Sequence, residues 1–217
     1  MIRLLIADDD ELTRTGLRAL LSTEPDLEVV AEATDGTEVL PLVTAHHPDV
    51  VLMDVRMPTL DGIGATRLLR AELPEPPKVL VVTTFQNDDY VYDALRAGAN
   101  GFVLKRAKLA QIAHAIRLID SGDSLLFPDA LRALVAARPS FPPPVRHPLL
   151  TNRETEILRL MATGLSNTDI AQTLVISLET VKTHVGNLFA KLDAANRTQA
   201  VVIAYETGIV TPGRAGT

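Results

Sequence analysis

Two textures alternate through the first 120 residues. "IRLLI" (2–6), "EVVAEA" (28–33), "VVLMD" (50–54), "KVLVVT" (78–83) and "GFVLK" (101–105) are short, apolar and rich in Val, Ile and Leu. Mostly unbroken runs of this kind predict strands buried on both faces. Between them, residues 12–22, 37–46, 63–73, 89–97 and 109–119 read as helices. The last carries Leu109, Ile112, Ala113 and Ile116 at spacings of three and four, a one-sided apolar stripe. Five β–α units in succession predict an α/β doubly wound five-stranded parallel sheet with helices on both faces.

The alternation stops at "ARPSFPPPVRHP" (137–148), where five prolines in twelve residues predict an extended, stiff spacer. Just before it, "PDALRALVAAR" (128–138) suits a short helix with Pro128 in its first turn. Residues 121–148 therefore read as a linker between a first domain at 1–120 and a second, all-α domain at 149–212. There, Thr151 and Glu154 match a capping box, Gly164 a helix stop, and Ser166 and Ser177 two further caps.

Two helices parted by a turn near 175–177 have the geometry that sets a recognition helix into the major groove. In the second, at 178–192, Val181, Val185, Leu188 and Leu192 should face the core. Thr180, Lys182, Thr183, Gly186 and Asn187 are left outward, with His184 and Lys191 nearby as further DNA-backbone contacts. Gly186 would cost a helix interior about 0.8–1 kcal/mol against Ala. Close approach to DNA and packing against a neighbouring helix account for it equally well.

Composition adds limits. With 47% hydrophobic and 22% charged residues the chain is an ordinary soluble globular protein. No apolar stretch approaches the roughly 20 residues that cross a bilayer, and the N-terminus shows no signal-peptide pattern. Cys is absent, which excludes disulfides and thiolate metal sites. A cytoplasmic location fits. Residues 1–120 hold 12 Lys and Arg against 19 Asp and Glu, so this half is not a nucleic-acid surface; residues 149–217 hold 6 of each. Zero net charge in the second domain leaves a protein-binding or dimerisation module open beside DNA binding.

The chemistry concentrates at strand ends. Asp8, Asp9 and Asp10 follow the first strand, Asp54 ends the third, Thr83 the fourth and Lys105 the fifth. In a sheet of order 2-1-3-4-5 they converge beside the topological switch point, where such folds bind ligands. Clustered carboxylates with a hydroxyl and an ammonium suit Mg²⁺, which prefers oxygen ligands. Asp10 should be solvated or support the metal from outside. Singly, each residue has a plainer use: Asp54 as a loop or cap residue, Phe102 in the core, "MPTLDG" as a turn on Pro58 and Gly62.

"ADD" after the first strand, "MDVRMPTLDG" (53–62), "VTT" (82–84) and "GFVLK" together resemble the receiver domain of two-component response regulators. The resemblance covers about residues 1–120. It implies that Asp54 accepts a phosphoryl group from a phosphohistidine on a sensor histidine kinase. It also implies Mg²⁺ held by Asp8, Asp9, Asp54 and the backbone carbonyl of Arg56. Lys105, Thr83 and Thr84 would attend the phosphoryl oxygens, and Phe102 would be an aromatic switch.

"LTNRETEIL", "GLSNTDIAQTL", "ISLETVKTHVGNLFAKL" and "NRTQAV" resemble the LuxR-type helix-turn-helix domain of the NarL/FixJ response regulators. By that resemblance Lys182, Thr183 and Gly186 take base-facing positions, while Thr180, His184, Asn187 and Lys191 mostly touch phosphate. The implied protein is a phosphorylation-controlled, promoter-binding transcriptional regulator that assists its own phosphoryl transfer and dephosphorylation and is not otherwise an enzyme. RNA polymerase is a further expected partner. Because few cations are available, tight binding should need a homodimer on a two-fold site, with Val201, Val202 and Tyr205 of the last helix as the seam. One enzyme reading competes: "DDDELT" loosely fits the nucleophile motif of haloacid-dehalogenase-type phosphatases, with Asp8 as nucleophile and Asp10 as acid/base. Glu11 and Leu12 replace that motif's usual Gly and Thr.

Overall fold

Parallel strands β1 (Ile2–Ala7), β2 (Leu27–Ala33), β3 (Val50–Asp54), β4 (Lys78–Thr83) and β5 (Gly101–Leu104) pair in the order β2-β1-β3-β4-β5. The computed structural model describes residues 1–84, 88–122, 128–136 and 150–210. The chain divides into two units, Met1–Asp120 and Ser121–Thr217. Helices α1 (Glu11–Leu21), α2 (Gly36–His46), α3 (Gly62–Glu72), α4 (Asp88–Ala97) and α5 (Leu109–Ser121) alternate with the strands. Every residue of β3 is buried, and β1 and β4 are buried over most of their length. The edge strands differ from expectation: β5 alternates buried with half-buried positions, and β2 exposes Glu28. An edge strand has a neighbour on one side only, so its apolar residues are less completely covered.

Local chemistry sets the helix starts. Asp10, Asp35 and Asp61 each accept backbone N–H bonds at the N-termini of α1, α2 and α3. Asp35 also accepts from the N–H of Thr59, 2.8 Å away, tying the β3–α3 loop to α2. These hydrogen bonds hold its carboxyl down at about 2. Gly62 is more than a turn former. Its N–H donates to the carbonyl of Val55, and a Cβ there would collide with the carbonyl oxygen of Asp54.

The second unit contains α6 (Pro128–Ala136), α7 (Asn152–Ala162), α8 (Asn167–Leu174), α9 (Leu178–Leu192) and α10 (Arg197–Glu206). The short helix α6 buries Leu131, Leu134 and Val135, and Pro128 lies against Gly164. It is thus a packed element, not merely part of a linker. The expected proline spacer at 137–148, with His147, lies outside the described residues. Capping boxes open α7 and α8, and Ser177 caps α9. Gly164 adopts φ +92 at the stop after α7.

Two expectations are corrected here. Val201, Val202 and Tyr205 are at most 1% exposed, so as they stand they offer no surface to a second copy. Helix α10 is apolar around most of its circumference and packs on α7 and α9, which makes it a core helix. Lys191 is no free cation: its Nζ lies 2.8 Å from both carboxylate oxygens of the buried Glu154.

Candidate functional site

β1 and β3 are neighbours, with Ala7 paired to Met53, so the residues that follow them arrive together. Asp8, Asp9 and Asp54 each offer a carboxylate oxygen, and the three oxygens lie within 4.8 Å of one another. Asp8 and Asp54 are buried, and Asp9 is exposed. Lys105, which follows β5, reaches across β4. Its Nζ stands 2.5 Å from Asp8 Oδ2 and 3.3 Å from Asp54 Oδ2.

Asp9, Asp54, Val55, Arg56, Thr83, Thr84 and Lys105 line one cavity of about 290 Å³, together with Asp10, Thr13 and Tyr90. The predicted pocket residues therefore meet, apart from Phe102. Phe102 sits half-buried on β5, paired in register with Val81, and is not part of the lining.

Charge explains the arrangement. Burial pushes the Asp54 carboxyl up to about 6, helped by the neighbouring Asp8 charge and opposed by the Lys105 ammonium. Burial also works against the charge on Lys105. The hydrogen bond to Asp8 and the charges of Asp54 and Asp8 outweigh it, and its pKa is raised. Asp8 Oδ1 accepts from the N–H of Asp10, and Asp54 Oδ1 from the N–H of Val55.

Asp10 is not simply solvated. Its carboxylate takes the N–H groups of Leu12 and Thr13 and the Thr13 hydroxyl, the last at 2.5 Å. The Thr13 hydroxyl is the chief cause of its lowered pKa.

Sequence reasoning missed Tyr90 and Thr13. Tyr90 is 42% exposed at the cavity edge, with the Arg56 guanidinium carbon 5.6 Å from its ring centre. Nothing in the spacing of "DDYVYDAL" separates Tyr90 from the buried Tyr92. The two lie two positions apart in a helix, and helix rotation alone decides which faces the cavity. Arg14 also escaped notice; its Nη1 donates to the Asp8 carbonyl at 2.7 Å.

In the second unit, α9 has the predicted division of faces. Val181, Val185, Leu188 and Leu192 are buried; Thr180, Lys182, Thr183, Gly186 and Asn187 are exposed, and His184 is half-buried. Lys182 Nζ lies 3.2 Å from Glu179, an exposed i,i+3 pair of small energetic weight. The Thr180 and Ser177 hydroxyls share a hydrogen bond at the cap. Arg197 is buried, with Nη1 donating to Asn167 Oδ1 and Nη2 donating to the Leu165 carbonyl.

Comparison with known proteins covers both units. Residues 4–117 match the family model of the response regulator receiver domain, and residues 148–204 that of bacterial regulatory proteins of the luxR family. The transcriptional regulatory protein LiaR of Bacillus subtilis is 44% identical over 211 residues, 97% of this chain and 100% of LiaR. The response regulator protein VraR of Staphylococcus aureus is 39% identical over 212 residues, 96% of this chain and 99% of VraR.

Among solved structures, the response regulator ChrA of a heme-sensing two-component system is 36% identical with a TM-score of 0.54. It covers 96% of this chain and 98% of its own. A LuxR-family two-component response regulator from Aurantimonas sp. SI85-9A1 is 33% identical with a TM-score of 0.57, over 63% of this chain and 96% of its own.

Proposed function

The chain belongs to the response regulators that join a receiver domain to a LuxR-type DNA-binding domain, and from that premise we propose that Asp54 is its phosphoacceptor and α9 its DNA-reading helix. The observation that carries the reading is the meeting of Asp8, Asp9, Asp54 and Lys105 at one end of the sheet. Three carboxylate oxygens that close to one another form an all-oxygen donor set suited to Mg²⁺, with the Arg56 carbonyl on the adjoining loop as the expected fourth protein ligand. When bound, the ion offsets negative charge on the transferring group.

Asp54 Oδ attacks the phosphorus of a phosphohistidine on a sensor kinase. The P–N bond breaks as the new P–O bond forms, and the imidazole departs with its bonding pair. The Lys105 ammonium moves from the carboxylates toward the phosphoryl oxygens, and the Thr83 and Thr84 hydroxyls donate to them. Phe102, half-buried beside Val81, is the side chain that follows Thr83 inward.

On α9, Lys182 and Thr183 take the base edges while Thr180, His184 and Asn187 hold the backbone. Lys191 acts through Glu154, fixing the C-terminal half of α9 on α7. With Lys191 and Arg197 committed inside the domain, few cations remain for phosphates. Binding therefore needs two copies on a two-fold site, through a surface other than Val201, Val202 and Tyr205. The phosphatase reading is disfavoured because Asp10, its acid/base, is taken up in capping α1.

A DNA-binding assay with and without a small phosphodonor, on wild type and Asp54→Ala, tests the switch. Wild type should bind promoter DNA more tightly when the donor is present, and the variant should not respond. Equal binding in all four conditions would refute control by Asp54.

A further inference from the structure

The three clustered carboxylates are not held alike. Asp8 is engaged by Lys105 and the N–H of Asp10, and Asp54 by Lys105 and the N–H of Val55. Asp9 is exposed, and among the described residues its carboxylate takes no hydrogen bond or ion pair. Its oxygen nevertheless lies within 4.8 Å of those of Asp8 and Asp54. That placement has to come from the backbone carrying it.

The backbone is gripped at one point. Arg14 Nη1, on α1, donates at 2.7 Å to the carbonyl of the peptide that joins Asp8 to Asp9. A peptide unit is planar, so a bond to that oxygen fixes the direction in which the chain enters Asp9. An ion pair is not the chief use of Arg14. Its Nε stands 3.7 Å from Glu32 Oε2 on β2, whereas Arg18, one turn further along α1, pairs closely with the same carboxylate. The Arg14 side chain is 12% exposed, against 48% for Arg18. Taking a guanidinium out of water is costly unless its donors are used, and the shorter of the two contacts is the one to the Asp8 carbonyl.

Resting on the proposed Mg²⁺ site, we infer that Arg14 is a positioning residue for the metal. By clamping the Asp8–Asp9 peptide it holds the Asp9 carboxylate beside the other two, and Glu32 steers the guanidinium from behind. Charge and positioning predict opposite outcomes when Arg14 is removed. A cation near the site repels Mg²⁺, so loss of its charge alone would tighten metal binding. Loss of the clamp weakens it, because Asp9 has nothing else to hold it. The two ions also differ in what they tolerate. Mg²⁺ demands near-ideal octahedral geometry, while Ca²⁺ accepts flexible oxygen sets. A loosened Asp9 therefore costs Mg²⁺ more than Ca²⁺, whereas a change of charge moves both the same way.

The test titrates the full chain with MgCl₂ and, separately, with CaCl₂, in the absence of a phosphodonor. Binding is read from the amide NMR shifts of Asp8, Asp9, Asp54 and Val55, and thermal unfolding without metal confirms that each variant is folded. Arg14→Met should raise the Mg²⁺ dissociation constant about tenfold, the range seen when a group behind a metal ligand is lost. Its Ca²⁺ affinity should fall by less. Arg14→Lys keeps the charge and one donor but not the fork that spans carbonyl and carboxylate, so it should lie between wild type and Arg14→Met. Arg18→Met, which removes the closer partner of Glu32, should leave Mg²⁺ affinity unchanged. Should Arg14→Met not fold, Arg14→Lys and Arg18→Met decide the matter. Wild-type or tighter Mg²⁺ binding by the folded Arg14 variants, equal losses for Mg²⁺ and Ca²⁺, or an equal loss in Arg18→Met would overturn the inference while leaving the metal site intact. Absence of any Mg²⁺-dependent shift at these amides in wild type would overturn the metal site and this inference together.

Discussion

Asp54 shows how one residue's environment decides its use. Its carboxyl is raised to about 6 chiefly by burial, so the charged form is disfavoured in the folded protein relative to the unfolded chain. The contribution of Asp54 to stability without a divalent cation should therefore rise as pH falls from above about 6 toward 4. Asp54→Asn should stabilise the cation-free protein at pH 8 by up to about 3 kcal/mol, with the gain shrinking toward pH 4. Urea unfolding at the two pH values checks the sign; a destabilised Asn variant at pH 8 would contradict the account. Asp54 was legible in the sequence because it ends an apolar strand within a longer motif. Asp10 was not, since Asp8, Asp9 and Asp10 look alike in sequence and only backbone direction makes the third a cap.

The same contrast holds for whole elements. The five strands were found to within a residue at each end, because short Val- and Leu-rich runs between helices leave little alternative. Helix α10 shows the limit: apolar residues around most of a helix identify burial but not which neighbour buries it, and Val201, Val202 and Tyr205 were misassigned for that reason. Two predictions belong at this level.

Val175 caps α8 in the left-handed region at φ 53 while 89% exposed, so a β-branched residue bears the strain with no burial to offset it. Val175→Asn should raise stability by about 1 kcal/mol in a thermal melt; an unchanged or lower midpoint would contradict this.

Glu154 loses hydration on burial, but Lys191 and Thr151 more than compensate and its pKa is lowered. A depressed carboxyl stabilises the fold above its unfolded value and stops doing so as pH falls through the folded one. Glu154→Gln should thus cost about 2 kcal/mol at pH 7 and less at pH 3. A pH-independent cost, read by urea unfolding, would assign Glu154 a packing role instead.

At the scale of the molecule, an acidic unit carrying the pocket is joined to a nearly neutral unit carrying α9, in which residues 149–217 hold equal numbers of acidic and basic side chains. The order of the two units and the helix at 128–136 could be read from patterning, because proline clusters and capping signals mark boundaries. That α6 packs with the second unit could not, since burial of Leu131, Leu134 and Val135 depends on which surface lies opposite. Among the described residues no helix is long and apolar enough to cross a membrane. The account of the whole depends on phosphate arriving at one side chain. The most direct test is the intact mass of the chain after incubation with acetyl phosphate, with Mg²⁺ or with a chelator, followed by mapping of the modified residue by borohydride reduction. The account predicts one added phosphoryl group on Asp54, formed only with the metal and absent from Asp54→Ala. A phosphoryl group on Asp8, or none on wild type with Mg²⁺ present, would contradict it.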